Sequence, residues 1–218
     1  TTVLVMAGMA LLCACQPAQQ SKTYAVTGVL EDSTHHGKEV YIMRYDDNQL
    51  IDSTFIEGNK FVFNGQVDTA SFCRIDVTQS DFANFVLEGG DINVNLKKPN
   101  NPSGTPLNDA ISQIANEQEV LYEEVGKMHQ EINQKYADDK KALEENRKKY
   151  VDNLKVDLVK KAEEIYAVHN NDAVGYFTMH TVFMDQIDND AREKIMTSFG
   201  PWLKSQKMVS EALTQMEA

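Results

Sequence analysis

The chain is predicted to adopt an α+β fold: an N-terminal antiparallel β-sandwich or barrel of about seven strands, then an α-helical region with a long helical hairpin. Three observations predict it. Apolar residues alternate from Tyr24 to Leu96, with turn residues every few positions. After residue 105 the apolar spacing changes to steps of three and four. Between the two lies Lys97–Gly104 (KKPNNPSG), whose prolines and glycine read as a linker.

In the first half, strands are expected at Tyr24–Leu30, Glu39–Tyr45, Leu50–Ile56, Lys60–Val67, Phe72–Thr78, Phe82–Leu87 and Ile92–Leu96. Gly58-Asn59 and Gly89-Gly90 accept positive φ and suit tight hairpins. His36-Gly37 and Asp46-Asp47-Asn48 read as longer turns. Strand alternation puts Phe61 and Phe63 on one face and Val62 on the other.

Thr105 and Pro106 read as the N-cap and first turn of a helix. Its apolar stripe is Leu107, Ile111, Ile114, Leu121, Val125, Met128 and Ile132. A second stripe runs through Leu143, Tyr150, Leu154, Leu158, Ala162 and Ile165. A turn at Ala137–Lys141 makes these an antiparallel hairpin; one long helix is the alternative. His169-Asn170-Asn171 ends the second helix. Asp172 and Asp190 look like further helix starts, and Gly200-Pro201 separates the last one. The expected organisation is therefore a leader over 1–15, a sandwich over 21–98 and a helical region over 105–218.

The 218 residues are 42% hydrophobic, enough for a core, and carry a formal charge of -12. Residues 21–100 hold 7 basic and 12 acidic groups (-5), and residues 101–218 hold 14 and 21 (-7). Neither half offers the basic face that displaces counterions from nucleic acid, so no nucleic-acid partner is expected. The same charge argues against electrostatic docking on anionic lipid. Three cysteines rule out a disulfide-stapled miniprotein.

Residues Val3–Ala14 (VLVMAGMALLCA) are uncharged. The run is shorter than the ~20 apolar residues that span a bilayer but fits the apolar region of a secretory leader. A short basic start is expected ahead of Thr1. The run closes on Leu12-Cys13-Ala14-Cys15 and a polar tail, Gln16–Gln20. That order resembles a bacterial lipoprotein box, which implies lipidation at Cys15 and loss of Cys13 with the leader. Each buried acyl CH₂ adds ~0.8 kcal/mol, so several chains on one residue anchor stably. A buried apolar helix and a C-x-C metal or redox pair are the competing readings. The tail lacks the acidic cluster of surface-exported relatives. A periplasm-facing anchor in the outer membrane of the cell envelope is therefore expected.

The strand half also resembles a known module, on Tyr24-Ala25-Val26-Thr27-Gly28, Val40-Tyr41-Ile42, Ile51-Asp52-Ser53-Thr54, Gly58–Gly65, Phe85–Gly90 and Gly104–Asn108 taken in order. It is similar to the domain of unknown function at the N-terminus of Bacteroidetes-type thiol:disulfide interchange lipoproteins. The helical half, with His169-Asn170-Asn171 and Gly175-Tyr176-Phe177, resembles the segment that follows it there. In longer relatives a thioredoxin-like domain with Cys-x-x-Cys comes next. This chain stops about where that domain would begin and has no Cys-x-x-Cys. It reads either as a fragment or as a member with the accessory module alone. Redox activity is carried onto no residue here.

The remaining chemistry-bearing residues favour plain structural roles. Cys73 lies in a strand pattern and reads as a small buried hydrophobe rather than a redox thiol. His35-His36 are adjacent in a turn, short of the three or four convergent ligands of zinc. Asp185, Asp188 and Asp190 follow His180 but lack calcium-loop spacing, so capping explains them. Asp52-Ser53, His129, His169 and His180 come with no G-x-S-x-G turn to present a nucleophile. Gly89-Gly90 lacks the lysine and helix of a phosphate loop. Tyr41, Tyr45, Phe55, Phe61, Phe63, Phe72, Phe82 and Phe85 read as core before they read as a carbohydrate or peptide groove. No catalytic residue, metal or cofactor is expected. The helical stripes are expected to pack on the sandwich, with a homodimer as the alternative.

The expectation for function is a noncatalytic accessory module of a membrane-anchored thiol:disulfide interchange lipoprotein, positioning or dimerising a fused thioredoxin-like domain. The alternative is a stand-alone envelope lipoprotein that binds a ligand through its sandwich. A hydrolase ranks last.

Overall fold

The computed structural model describes residues 21–78, 81–96 and 101–216. Eight strands occur among them: β1 (Lys22–Val29), β2 (Glu39–Arg44), β3 (Leu50–Phe55), β4 (Lys60–Val67), β5 (Ser71–Asp76), β6 (Phe82–Leu87), β7 (Gly90–Asn95) and β8 (Pro102–Ser103). They form two four-stranded sheets, ordered β4-β1-β7-β8 and β3-β2-β5-β6. The sheets face one another and do not close into a barrel.

Each strand turns its apolar alternate residues into one layer: Val26, Phe61, Phe63, Ile92 and Val94 from the first sheet, Val40, Ile42, Cys73, Ile75 and Phe85 from the second. Phe61 and Phe63 are buried and meet edge to face at 5.6 Å, while Val62 is exposed, as alternation requires. Two strand glycines make room for aromatic rings. Phe61 lies across its partner Gly28 on β1, and Tyr24 lies across its partner Gly65 on β4; a Cβ at either glycine would collide with the ring.

Three expectations are corrected. The sandwich is not wholly antiparallel, because β1 pairs with β7 in parallel. Gly58-Asn59 does form a tight turn, with Gly58 at φ 63 and Glu57 bridged to Lys60, but it joins β3 of one sheet to β4 of the other. Gly89-Gly90 likewise carries the chain from β6 to β7 across the sheets. The short loops are therefore crossings, not hairpins. The linker also holds structure: Pro102 of β8 pairs with Val94, at a sheet edge where a missing N–H costs nothing. A true hairpin forms at Asp46–Asn48, with Asn48 at φ 55 and the Arg44 N–H donated to the Gln49 carbonyl.

The helices are α1 (Pro106–Lys135), α2 (Lys140–His169), α3 (Ala173–Met179), α4 (Val182–Gln186), α5 (Asn189–Thr197), α6 (Pro201–Ser205) and α7 (Lys207–Met216). Thr105 and Pro106 begin α1 as expected, and the turn before Lys140 makes the hairpin. The Asp139 carboxylate caps α2 at the Ala142 N–H. Asp172 starts α3, whereas α5 is capped by Asp188 rather than begun at Asp190. Charge supports the hairpin's pairing: α1 carries six acidic and two basic residues, α2 six acidic and eight basic.

A second core lies between the β5–β6 face of the sandwich and the helices. Phe72 and Val86 point out of the sandwich into a cluster with Ile111, Leu158, Tyr166, Tyr176, Met184 and Leu203. The molecule is thus three layers deep there: sheet, sheet, helices. Each helix of the hairpin is about 45 Å long at 1.5 Å per residue. Between residues 115 and 157 only Ile132 is buried, so most of the hairpin packs solely on itself.

Candidate functional site

Two polar locks fix the helices to the sandwich. The first is Asn108 in the opening turn of α1, fully buried. Its Oδ1 accepts the Val86 N–H at 2.8 Å, and its Nδ2 donates to the Val86 carbonyl at 2.8 Å and to Thr105 Oγ1 at 2.8 Å. The amide thus pairs with β6 as another strand would. Glu88 accepts the Leu107 N–H alongside, and Asp109 accepts that of Gly104.

The second lock is Asp46, in the β2–β3 turn. Its carboxylate accepts from the Tyr176 hydroxyl at 3.0 Å and from the first N–H groups of α7, Lys207 at 2.8 Å and Met208 at 3.1 Å. A carboxylate at a helix N-terminus is favoured by charge as well as by hydrogen bonding. Around it, Tyr45 stands 5.0 Å from Phe72, 6.3 Å from Tyr176 and 5.4 Å from His180. Burial raises the pKa of Tyr176, and its bond to Asp46 adds to the rise.

His180 is held below the ordinary histidine pKa by burial, against the opposite pull of Asp185 and Asp46. The folded state therefore disfavours the charged ring. The stability His180 contributes is complete above the unfolded pKa, ~6.5, and is lost as pH falls through the folded value. Wild type is expected to lose stability relative to His180→Gln between pH 7.5 and 5 in urea melts. Parallel curves would refute this.

The hairpin supplies an apolar groove. Val120, Leu121, Leu154, Leu158 and Phe183 line it, and Asn116, Glu117, Glu124, Asp157 and Lys161 rim it, around about 470 Å³. Glu117 and Lys161 pair across it, tying α1 to α2. Val120, on the groove wall, is 56% exposed; Tyr122 and Val156 are also exposed on the hairpin but do not line the groove. An accessible apolar slot with a charged rim is the form of a protein-contact surface.

The residues singled out in the sequence lie apart. Cys15, the expected lipidation site, lies outside the described residues, as does Cys13. Cys73 is sealed inside the sandwich, and burial pushes its thiol pKa up to about 12. The thiolate is the nucleophile, so native Cys73 is expected to resist iodoacetamide at pH 8 until the protein unfolds. Prompt labelling would contradict the burial.

His35 pairs with Asp81 at 3.3 Å and Lys38 at 3.0 Å, while His36 accepts the Gly58 N–H; the two rings serve different partners. His169 bonds Asp172 at 2.8 Å, and His129 packs edge-on against Tyr150. Asp52 accepts the Ser53 N–H and the Tyr24 hydroxyl. Asp188 caps α5, and Asp185 lies in α4 near His180. Of the aromatics, Phe61, Phe63, Phe72 and Phe85 are core, whereas Phe55 and Phe82 are exposed. Among the described residues no three of His, Cys, Asp and Glu converge as a metal set, and no helix is long and apolar enough to cross a membrane.

Sequence reasoning missed both locks and the groove. Asn108 left one signal: it sits three residues before Ile111, on the buried face of α1. Asp46 left none, since its partners lie 130 to 162 residues away. No curated protein matches the chain, and no solved structure does. Residues 24–111, from β1 through β8 to one turn beyond Asn108, match the model of a family described as a domain of unknown function (DUF4369).

Proposed function

We propose that this chain is a noncatalytic accessory module of a periplasm-facing thiol:disulfide interchange lipoprotein, tethered to the outer membrane through acylated Cys15. In this reading the sandwich is a rigid spacer between anchor and helices. The helical hairpin positions or dimerises a thioredoxin-like redox domain. One observation carries the reading: a side-chain-filled sandwich is locked at Asn108 to the hairpin and at Asp46 to α3 and α7, and the hairpin's exposed stretch offers an apolar groove. Such an arrangement suits holding and presenting. The match of residues 24–111 to a family without assigned function is compatible with it.

The reading frame is the first test. A Cys-x-x-Cys domain in frame after Ala218 supports the proposal, and a stop codon there removes the redox partner from it. Labelling with a palmitate analogue tests the tether: wild type is expected to take up label and Cys15→Ala to take up none. A protein of either form that reduces insulin without a thioredoxin-like domain would refute the noncatalytic role.

A further inference from the structure

Five of the chain's nine methionines meet at one place. Met179, Met184, Met196, Met208 and Met216 line a single pocket of about 510 Å³, together with His180. They come from α3, α4, α5 and α7. On α7, Met208, Ala212 and Met216 follow at intervals of four and so share a face. The small Ala212 between them leaves room. Met184 and Met196 are buried at 2% and 1% exposure and form the floor.

Methionine commonly fills gaps in cores and then needs no ligand. Gap-filling leaves little space behind it, however, because protein interiors are close-packed. Here five methionines line a pocket that stays open. His180 packs against the rings of Tyr45 and Tyr176, at 5.4 and 5.3 Å, and its ring nitrogens make no hydrogen bond among the described residues. The wall carries one arginine, Arg192, whose buried Nε has no hydrogen-bond partner, and two carboxylates, Asp185 and Glu193. Thioether sulfur with neutral imidazole is a soft donor set, suited to copper(I) and poorly suited to magnesium or calcium.

We propose that this pocket binds a soft monovalent metal ion of the copper(I) class, held by His180 and by thioethers that include Met184 and Met196. The test is silver(I), a redox-inert probe, titrated as its nitrate in chloride-free buffer into the full chain carrying ¹³C-methyl methionine. The methyl resonances of the five pocket methionines are expected to shift together and saturate at one equivalent, with Met43 and Met128 unmoved. His180→Ala, and separately the double variant Met184→Leu and Met196→Leu, are each expected to weaken binding at least tenfold. Leucine conserves methionine's volume, so the double variant should keep the wild-type melting temperature to within a few degrees. Equal shifts at Met43 and Met128, silver taken up by cysteine with the five methyls unmoved, or wild-type affinity in the leucine variant would each overturn the proposal.

Discussion

Replacing Asn108 with alanine is expected to lower the unfolding free energy by about 2–5 kcal/mol, read from urea melts at pH 7. The side chain satisfies both backbone groups of Val86, a fully buried residue, and holds the Thr105 hydroxyl. Alanine leaves an N–H and a C=O in a dry interface, and each unsatisfied buried group costs ~1–3 kcal/mol. Asn108→Asp separates hydrogen bonding from packing. It keeps the size and the bond from the Val86 N–H, but its carboxylate faces the Val86 carbonyl with no proton to donate. Burial would raise the pKa of that aspartate, and protonation would restore the donor. A group whose folded pKa is raised contributes stability at low pH and loses it as pH rises. The deficit of Asn108→Asp against wild type should therefore shrink from pH 7 towards pH 4, while that of Asn108→Ala stays constant. A loss under 0.5 kcal/mol for the alanine variant would mean that α1 does not depend on this lock.

The same residue marks how far the sequence reaches. Alternation in β1 to β7 gave each strand's inward face, because a buried side must repeat every second residue. Alternation says nothing about neighbours. That β1 lies between β4 and β7, parallel to the second, is decided by pairings 30 to 70 residues apart, and the two glycine turns looked like hairpins for that reason. Phe72 and Val86 break the alternation by adding apolar residues on the outward face, and the helices bury both. The hairpin was legible because its signals are local: Thr105-Pro106 at one end, Asp139 at the turn, and two apolar stripes. Asp46 and the methionine pocket were not, since each gathers residues from several elements whose packing no local pattern encodes.

Gly175→Ala is expected to cost about 3 kcal/mol, or roughly 6–12 °C in melting temperature for a chain of this size. Gly175 lies in the first turn of α3, where its N–H is capped by Asp172 and its carbonyl accepts the Tyr166 hydroxyl at 3.1 Å. A Cβ there would overlap the backbone carbonyl oxygen of His169, the last residue of α2. Backbone has no rotamer to yield, so α3 must tilt or the end of α2 must open. Either movement displaces the next residue, Tyr176, from Asp46 and from the ring of Tyr45. The second lock should therefore loosen with the substitution. Gly126 supplies the contrast, since it sits mid-α1 with no atom near its missing Cβ. Gly126→Ala gains helix propensity without a clash and should stabilise by ~0.5–1 kcal/mol. Opposite signs for the two substitutions would follow from close approach at α2–α3 alone. If Gly175→Ala proved as harmless as Gly126→Ala, the α2–α3 junction could not be the rigid joint that sets the hairpin against the sandwich.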